Sequence, residues 1–385
     1  MKKKVAVLTS TRAEYGLLKA VIRQIEEDEE LELYLLVTGM HLALEFGNTY
    51  QEIVDDGFPI AVQIPILQQN DTSESISKAM ATALDKFGSY FEQNHMDMLV
   101  VLGDRYETIS VCLAAMNARI PIAHIHGGET TEGAVDEAIR HAITKLSYLH
   151  FAATQKYANR IVQLGEDPER VYNVGALGVE NILTTDLMSK EELSASLNFD
   201  LDCPYALLTF HPVTLEDQNA HKQFQEILQA IDCVDMKFII TKANADIGGR
   251  VINQMIEKYA ATHNNVYAIA SLGMRRYLSA LKYCTMVVGN SSSGILEAPS
   301  FHVPTINIGD RQKGRLAAES VIHCEPQKEK IVEAIRKAQR EDFQGIVKTV
   351  TNPYEKMHTS KNIVKTIKQY LVNEKIDLKK KFYDL

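Results

Sequence analysis

The chain has 385 residues, of which 45% are hydrophobic and 24% charged, a composition typical of a globular protein that excludes a disordered or fibrous one. This length exceeds what one hydrophobic core usually organises, so we expect two domains. The formal net charge of −9 argues against a nucleic-acid partner, which normally faces a basic surface. No apolar run reaches the ~18–20 residues that a membrane span needs, and the start of the chain lacks a signal-peptide core. We therefore expect a cytoplasmic protein with no membrane partner.

The cysteines indicate reduced thiols. They are scattered, odd in number and form no CxxC pair; they are Cys112, Cys203, Cys233, Cys284 and Cys324. We therefore expect neither a disulfide framework nor a zinc site, and no bound metal.

The first half of the chain alternates short apolar runs with helical patterns of apolar residues three or four apart. The predicted strands are Val5–Thr9, Leu31–Val37, Met98–Leu102, Pro121–His126 and His150–Ala153. The predicted helices are Ala13–Glu27, Ser75–Gln93, Glu107–Ala118 and Val135–Leu146. This alternation predicts a doubly wound parallel sheet, in which ligands bind beyond the carboxyl ends of the strands.

Ionisable side chains follow several of these strands. They are Arg12, then Asp104 and Arg105, then His124, His126 and Glu129, and then Asp136, Glu137, Arg140 and His141. One such residue alone is often a helix cap, and His141 fits an ordinary packed position. Several together favour a site for acid and base chemistry. Gly127 and Gly128 indicate a backbone that bends tightly or lets a ligand approach.

The stretch VVGNSSSGILEAP (Val287–Pro299) predicts an anion site in the second half of the chain. A buried strand ends at Gly289, and consecutive serines lead into a helix, whose free N–H groups and dipole favour negative charge. An ordinary serine N-cap is the alternative.

A second parallel sheet is predicted after a domain boundary near Gly178. Its predicted strands are Tyr205–Thr209, Lys237–Thr241, Asn265–Ile269, Met286–Val288 and Val303–Asn307. Its polar strand ends include His211, Asn244, Arg311 and Arg315, which suit a pyrophosphate bound in a cleft between the domains. After Val321 the chain is expected to be charged and helical, over Gln327–Gln339 and again over Tyr354–Leu371. Its basic run Lys379–Lys381 is expected to be a solvated end.

Two cofactor motifs are missing from the sequence. There is no GxGxxG after the first strand and no GxxxxGK[ST], so we expect neither a dinucleotide cofactor nor a P-loop enzyme.

Long motifs in a fixed order then resemble one known family. They are TSTRAEYG (Thr9–Gly16), VTGMHL (Val37–Leu42), GDRYE (Gly103–Glu107), HIHGGETTEG (His124–Gly133), DEAIRHAITKLSYLHF (Asp136–Phe151), FHPVT (Phe210–Thr214), GNSSSGILEAP (Gly289–Pro299) and NIGDRQKGR (Asn307–Arg315). Over residues 1 to about 320 the chain resembles the hydrolysing UDP-N-acetylglucosamine 2-epimerases of sialic-acid synthesis. Non-hydrolysing epimerases match these motifs less well.

The resemblance implies an α/β fold of the glycosyltransferase-B kind, with two Rossmann-like domains facing a cleft. The first domain would span residues 1–178, with the end of the chain (about 355–385) packed back on it, and the UDP-binding domain would span 179–354. The residues implied to hold UDP are Arg12, Ala13, Arg105, His211, Asn244, Leu272, Ser291, Ser292, Glu297 and Arg311. A homodimer or homotetramer is implied, and no cofactor.

The implied reaction removes the proton at sugar carbon 2 as UDP leaves carbon 1, giving 2-acetamidoglucal. Water then adds at carbon 1 and a proton returns to the opposite face of carbon 2. The acid and base groups would come from Asp104, His126, Glu129, Asp136, Glu137 and His211. Some members of the family carry glutamate where this chain has His126.

Alternatives remain open at this level. The histidine form occurs in enzymes acting on UDP-N-acetylglucosamine and in those acting on UDP-N,N'-diacetylbacillosamine for legionaminic acid. A glycosyltransferase of the same architecture would bind UDP alike but need an acceptor, and a nucleotide sensor would bind it without turnover.

Overall fold

The computed structural model describes residues 2–68, 70, 72–132, 135–212, 220–243, 248–374 and 376–385. The chain divides into two compact units. The first unit comprises Met1–Glu129, Asp136–Asn181 and Lys356–Leu385, and the second comprises Thr130–Val135 and Ile182–Glu355.

Strands and helices alternate along the whole chain. The strands are β1 (Lys3–Thr9), β2 (Leu31–Thr38), β3 (Ile60–Ile64), β4 (Met98–Leu102), β5 (Ile122–Ile125), β6 (Leu149–Ala152), β7 (Val171–Asn173), β8 (Tyr205–Thr209), β9 (Lys237–Thr241), β10 (Val266–Ile269), β11 (Met286–Gly289), β12 (Thr305–Ile308) and β13 (Val321–Cys324). The α-helices are α1 (Arg12–Glu27), α2 (Tyr50–Asp55), α3 (Ser73–Gln93), α4 (Tyr106–Asn117), α5 (Asp136–Leu146), α6 (Gln155–Gln163), α7 (Leu177–Thr184), α8 (Lys190–Leu197), α9 (Ala220–Ile231), α10 (Gly249–Ala260), α11 (Gly273–Tyr283), α12 (Ser293–Leu296), α13 (Lys328–Ala338), α14 (Glu341–Thr349) and α15 (Thr359–Lys368).

Each unit contains one twisted parallel sheet. The order is β3-β2-β1-β4-β5-β6-β7 in the first unit and β10-β9-β8-β11-β12-β13 in the second. In each sheet the first strand lies in the middle, and the order of successive strands changes direction once, between β1 and β4 and between β8 and β11. Such a reversal opens a crevice at the carboxyl ends of the two strands, where ligands bind in doubly wound sheets. The predicted α/β class with two Rossmann-like units is confirmed.

Buried apolar runs explain the central strands. Every residue of β4 and β8 is buried, as expected for parallel strands covered by helices on both faces. Helix α1 begins with a capping box, in which the Thr11 hydroxyl accepts from the Glu14 N–H and the Glu14 carboxylate accepts from the Thr11 N–H. Helix α15 contributes Ile363, Val364 and Ile367 to the core beneath β1 and α1.

The helices predicted over Gln327–Gln339 and Tyr354–Leu371 correspond to α13 and to α15, which begins later. Val321–Cys324, which precedes them, forms the edge strand β13, paired with β12. One expectation for the end of the chain is wrong. The basic run was expected to be a solvated end, but the Lys380 ammonium donates to the buried Glu166 carboxylate at 2.6 Å. Among the described residues no helix is long and apolar enough to cross a membrane.

Candidate active site

The crevice of the first unit begins with Arg12 and Ala13, which open α1 directly after β1. The Arg12 guanidinium forms an ion pair with Glu52 of α2. The Glu14 carboxylate accepts from the Ser10 N–H and hydroxyl, both at 2.7 Å, and burial raises the pKa of Glu14 to about 7. Arg12, which was predicted to bind the nucleotide, is thus already paired with the Glu52 carboxylate.

The second side of this crevice is the loop after β4. Gly103 has a positive φ of 77°, and its carbonyl accepts from His124 Nε2 at 2.7 Å. Burial lowers the pKa of His124 to about 3, so the ring is neutral and its proton sits on the nitrogen that faces the carbonyl. Arg105 holds the buried Glu107 through Nε at 3.2 Å and Nη2 at 3.4 Å. His124, which fixes the loop that carries Asp104, therefore has a positioning role.

Arg140 is the centre of a cluster of charged side chains in the first unit. Its side chain is 1% exposed and forms ion pairs with Asp104 and, at 2.7 Å, with Glu137 on the preceding turn of α5. Burial disfavours the charged guanidinium, but Asp104, Glu129 and Glu137 more than offset this and raise its pKa. The cluster therefore holds the Asp104 and Glu137 carboxylates against one buried guanidinium.

Arg140 was noted among the clustered ionisable residues but was given no role in the reaction. It lies three residues after Glu137, so the sequence placed both on one face of a helix, which is a signal that could have identified the pair. Asp136 itself is the first residue of α5, and His141 pairs with the second Glu137 oxygen at 3.2 Å.

His126 and Glu129 lie close together in the loop after β5. Both are buried, and His126 Nδ1 lies 3.7 Å from Glu129 Oε1. His126 has a positive φ of 66°, a conformation that costs a non-glycine residue about 1 kcal/mol or more. A strained, buried histidine beside a carboxylate is typical of a functional position.

The predicted glycine bend at this loop has a packing reason. A Cβ on Gly128 would lie 2.4 Å from the carbonyl oxygen of Tyr157 in α6, and Arg160 Nη1 donates to the Gly128 carbonyl at 2.6 Å. Close approach to a helix, rather than to a ligand, therefore requires glycine at position 128.

The crevice of the second unit is organised by Asn290, which follows β11. Its side chain is fully buried and pairs with the His211 backbone as a neighbouring strand would. Oδ1 accepts from the His211 N–H and Nδ2 donates to the His211 carbonyl, both at 2.7 Å. Its backbone N–H donates to the Thr209 carbonyl at 3.0 Å, which holds the serine loop against the end of β8. His211 and the serine loop are thereby placed together.

Arg311, which follows β12 in the chain, contacts the same loop. Arg311 Nη1 and Gln312 Nε2 donate to the Asn290 carbonyl at 3.1 and 2.9 Å. Gln312 is buried and was not predicted, because nothing local in the sequence marks its partner. Arg315 instead donates from Nε to the Thr130 carbonyl at 3.3 Å.

The serine loop differs in one respect from the prediction. Helix α12 has only the four residues Ser293–Leu296, so a helix dipole contributes little. Within the described part of the chain, the Ser292 hydroxyl makes no cap hydrogen bond, and Ser291 Oγ accepts from the Ser293 N–H at a long 3.4 Å. The ordinary capping alternative therefore explains these serines poorly, and their hydroxyls can serve a ligand.

Three predicted UDP-binding residues remain, namely Glu297, Leu272 and Asn244. Glu297 follows α12 and is buried near Tyr277, whose pKa is raised by burial and by that carboxylate. Leu272 precedes α11 with a buried side chain, and its carbonyl accepts from Arg276 Nε at 2.9 Å. Asn244 lies outside the described residues. No group of His, Cys, Asp and Glu side chains that could hold a metal ion occurs in the part of the chain that the structure describes.

Comparison with known proteins identifies the relatives of this chain. The family model described as UDP-N-acetylglucosamine 2-epimerase matches residues 23–368. The polysialic acid biosynthesis protein P7 of Escherichia coli is 41% identical over 386 residues, covering 100% of this chain and 98% of that protein. The GDP/UDP-N,N'-diacetylbacillosamine 2-epimerase (hydrolyzing) of Campylobacter jejuni is 42% identical over 326 residues, covering 84% and 85%.

A solved structure shares the fold. The UDP-GlcNAc 2-epimerase of Neisseria meningitidis, crystallised with UDP-GlcNAc, superposes with a TM-score of 0.79 at 20% identity, covering 94% of this chain and 99% of that chain. The resemblance inferred from the motifs is confirmed by these matches.

Proposed function

The chain belongs to the UDP-N-acetylglucosamine 2-epimerase family, and we propose that it is a hydrolysing member that converts UDP-N-acetylglucosamine and water to N-acetylmannosamine and UDP. The observation that carries this proposal is the Arg140 cluster, in which one buried guanidinium forms ion pairs with Asp104 after β4 and Glu137 at the start of α5. A 2-epimerase needs such a base because the C–H bond at carbon 2 is a weak acid.

The chemistry divides between the two units. In the second unit, Arg311, the serine hydroxyls and the loop N–H groups would bind the diphosphate and stabilise the charge that it gains on leaving carbon 1. In the first unit, a carboxylate held by Arg140 would take the proton from carbon 2. The pair of His126 and Glu129 would supply the proton that returns to the opposite face after water adds at carbon 1. The net reaction consumes one water and releases one UDP.

The first test is product identification by NMR, with the purified protein, UDP-N-acetylglucosamine, D2O and no acceptor. We expect UDP and N-acetylmannosamine in equal amounts, with deuterium at carbon 2. Intact substrate would contradict the proposal and favour a glycosyltransferase or a sensor. N-acetylglucosamine as the product would indicate simple hydrolysis.

The acid and base assignment is tested by Asp104→Asn and Glu137→Gln. Each should lower kcat by about 10²–10⁴-fold, the usual contribution of a positioned acid or base. Asp85→Asn, an exposed carboxylate on α3 of the same unit, is the matched control and should keep full activity. Wild-type turnover in both site variants would refute the assignment.

UDP-N,N'-diacetylbacillosamine is the second candidate substrate. The specific support is the 42% identity to the Campylobacter jejuni enzyme named for that sugar. The two sugars differ at carbons 4 and 6, away from the reacting carbons, so the same acid and base groups would serve either. Parallel measurement of kcat/KM on both substrates decides between them.

A further inference from the structure

We propose that residues 376–385 are a positioning element for helix α5, acting through Lys380, which ties the last turn of this helix to the buried Glu166 carboxylate. The inference rests on the proposed function, because α5 carries Asp136, Glu137 and Arg140. Lys380 would be a positioning residue that affects turnover without touching the substrate.

The Lys380 ammonium makes three hydrogen bonds. It donates to Glu166 Oε2 at 2.6 Å, to the Ser147 carbonyl at 2.6 Å and to the Lys145 carbonyl at 2.9 Å. Both carbonyls lie at the end of α5, where the last four carbonyls of a helix have no partner within the helix. A cation there also interacts favourably with the helix dipole. Lys380 therefore closes the C-terminal end of α5.

Glu166 joins α5 to two further elements. Its side chain is 1% exposed, and it accepts from Lys145 Nζ of α5 at 2.6 Å and from His150 Nε2 of β6 at 3.1 Å. A buried carboxylate is costly unless charged donors surround it. Without Lys380, Glu166 would lose one of its two ammonium partners and the end of α5 would lose its cap.

A second contact fixes the same segment independently. The Phe382 ring covers Gly165, where a Cβ would lie 2.3 Å from the ring, and the Tyr383 N–H donates to the Gly165 carbonyl at 3.0 Å. Lys145 Nζ also lies 5.1 Å from the centre of the Phe382 ring. The segment that carries Lys380 is therefore also held through Gly165, the residue before Glu166.

Helix α5 transmits this anchoring to the acid and base groups. The helix has eleven residues, which makes it a stiff rod of about 16 Å. Its first turn carries Asp136 and Glu137, and Arg140 on the next turn pairs with Asp104 of the β4 loop. Catalytic groups must be held to within about 0.5 Å, so a small shift or rotation at the Lys380 end is enough to disturb the Arg140 cluster.

The test compares three neighbouring lysines. Lys380→Met removes the ammonium but keeps the stem, while Lys379→Met and Lys381→Met remove the same charge from exposed side chains and are the matched controls. At a temperature where all variants are folded by circular dichroism, we expect Lys380→Met to lower kcat about tenfold, with KM and inhibition by UDP unchanged, which is the pattern of a lost transition-state interaction. The controls should match the wild type.

A kcat of folded Lys380→Met within twofold of both controls would overturn the proposal, because a purely structural contact lowers stability alone. If Lys380→Met does not fold, Lys380→Arg and Phe382→Ala take its place. The arginine should recover part of kcat, and the alanine should lower it. No effect of Phe382→Ala on kcat would then count against the proposal.

A separate readout distinguishes this inference from the proposed function. Hydrogen exchange of the last-turn amides of α5 should be faster in Lys380→Met than in Lys381→Met, whichever substrate the enzyme uses. Exchange that is equal in the two variants would refute the tail contact itself. Failure of the wild type to turn over either sugar nucleotide would refute only the proposed function.

Discussion

Replacing Asn290 by alanine separates two roles that meet at this residue. The Asn290 side chain holds the His211 backbone through two hydrogen bonds of 2.7 Å, whereas the Asn290 carbonyl accepts from Arg311 and Gln312. A side-chain substitution therefore removes the support of His211 and leaves the acceptor for Arg311 in place. His211 was predicted both to hold UDP and to belong to the acid and base groups. We propose that the second role is the larger one, so Asn290→Ala should lower kcat more than UDP affinity.

The size of the effect follows from the bonds that are lost. Each hydrogen bond contributes about 1 kcal/mol net, and stranding a buried partner costs about 1–3 kcal/mol, so Asn290→Ala should destabilise the protein by about 2–5 kcal/mol. For a unit of this size, that lowers Tm by about 5–15 °C. Misplacing His211 by about 1 Å can reduce kcat up to about 10²-fold.

Asn290→Asp provides a second comparison. The aspartate keeps an acceptor for the His211 N–H, but it cannot donate to the His211 carbonyl and places two oxygens against each other. Because a buried carboxylate costs more than a lost hydrogen bond, we expect it to be at least as destabilising as Asn290→Ala. The assays are thermal unfolding, steady-state kinetics and UDP binding by calorimetry. A UDP affinity that falls as much as kcat would show that the Asn290 side chain and His211 act mainly on the nucleotide and would refute this reasoning.

Two further predictions concern the same units. In Gly289→Ala, the new Cβ would lie 2.0 Å from the Thr209 carbonyl oxygen at a φ of +124°, so we expect the free energy of unfolding in chemical denaturation to fall by more than about 3 kcal/mol. Gly309→Ala, at a φ of +72° with open space around the new Cβ, should lower it by only about 1–2 kcal/mol. Similar losses in the two variants would show that backbone conformation alone decides the effect. The pKa of Glu166 lies at about 2, below its ordinary 4.5, because hydrogen bonds from His150, Lys145 and Lys380 outweigh its burial, so its stabilisation is complete above pH 4.5 and is lost as pH falls towards 2. The stability difference between wild type and Glu166→Gln should therefore shrink over that interval in urea titrations, and a difference independent of pH would contradict the assignment.

The sequence predicted the central strands well because burial on both faces leaves a continuous apolar run. The bounds predicted for β4, β8 and β9 agree with the structure to the residue. The edge strands β3 and β13 were missed because they are short and partly exposed, so their sequences lack that run. The predicted helix over 354–371 begins later, at Thr359, after a loop that the charge pattern did not reveal.

The candidate site was predictable only where a motif directly follows a strand. Asp104 and His126 were found in this way, because ligands in parallel sheets collect at strand ends. Gln312 was missed, and Arg140 was noted without a role, because the fold brings their partners to them: Asp104 is 36 positions away from Arg140, and the Asn290 carbonyl is 22 from Gln312. Lys380 was misread because a short basic run usually lies in solvent.

The contacts of the arginines support the proposed division of the reaction between the two units. In the first unit Arg12, Arg105 and Arg140 each lie against a carboxylate, so a diphosphate bound there would have to displace an anion such as Glu52. In the second unit Arg311 donates to the neutral Asn290 carbonyl beside serine hydroxyls, which are groups that can also donate to an anion. These contacts support our proposal of proton transfer in the first unit and diphosphate binding in the second. Arg12 would reach a nucleotide only by exchanging Glu52 for a phosphate.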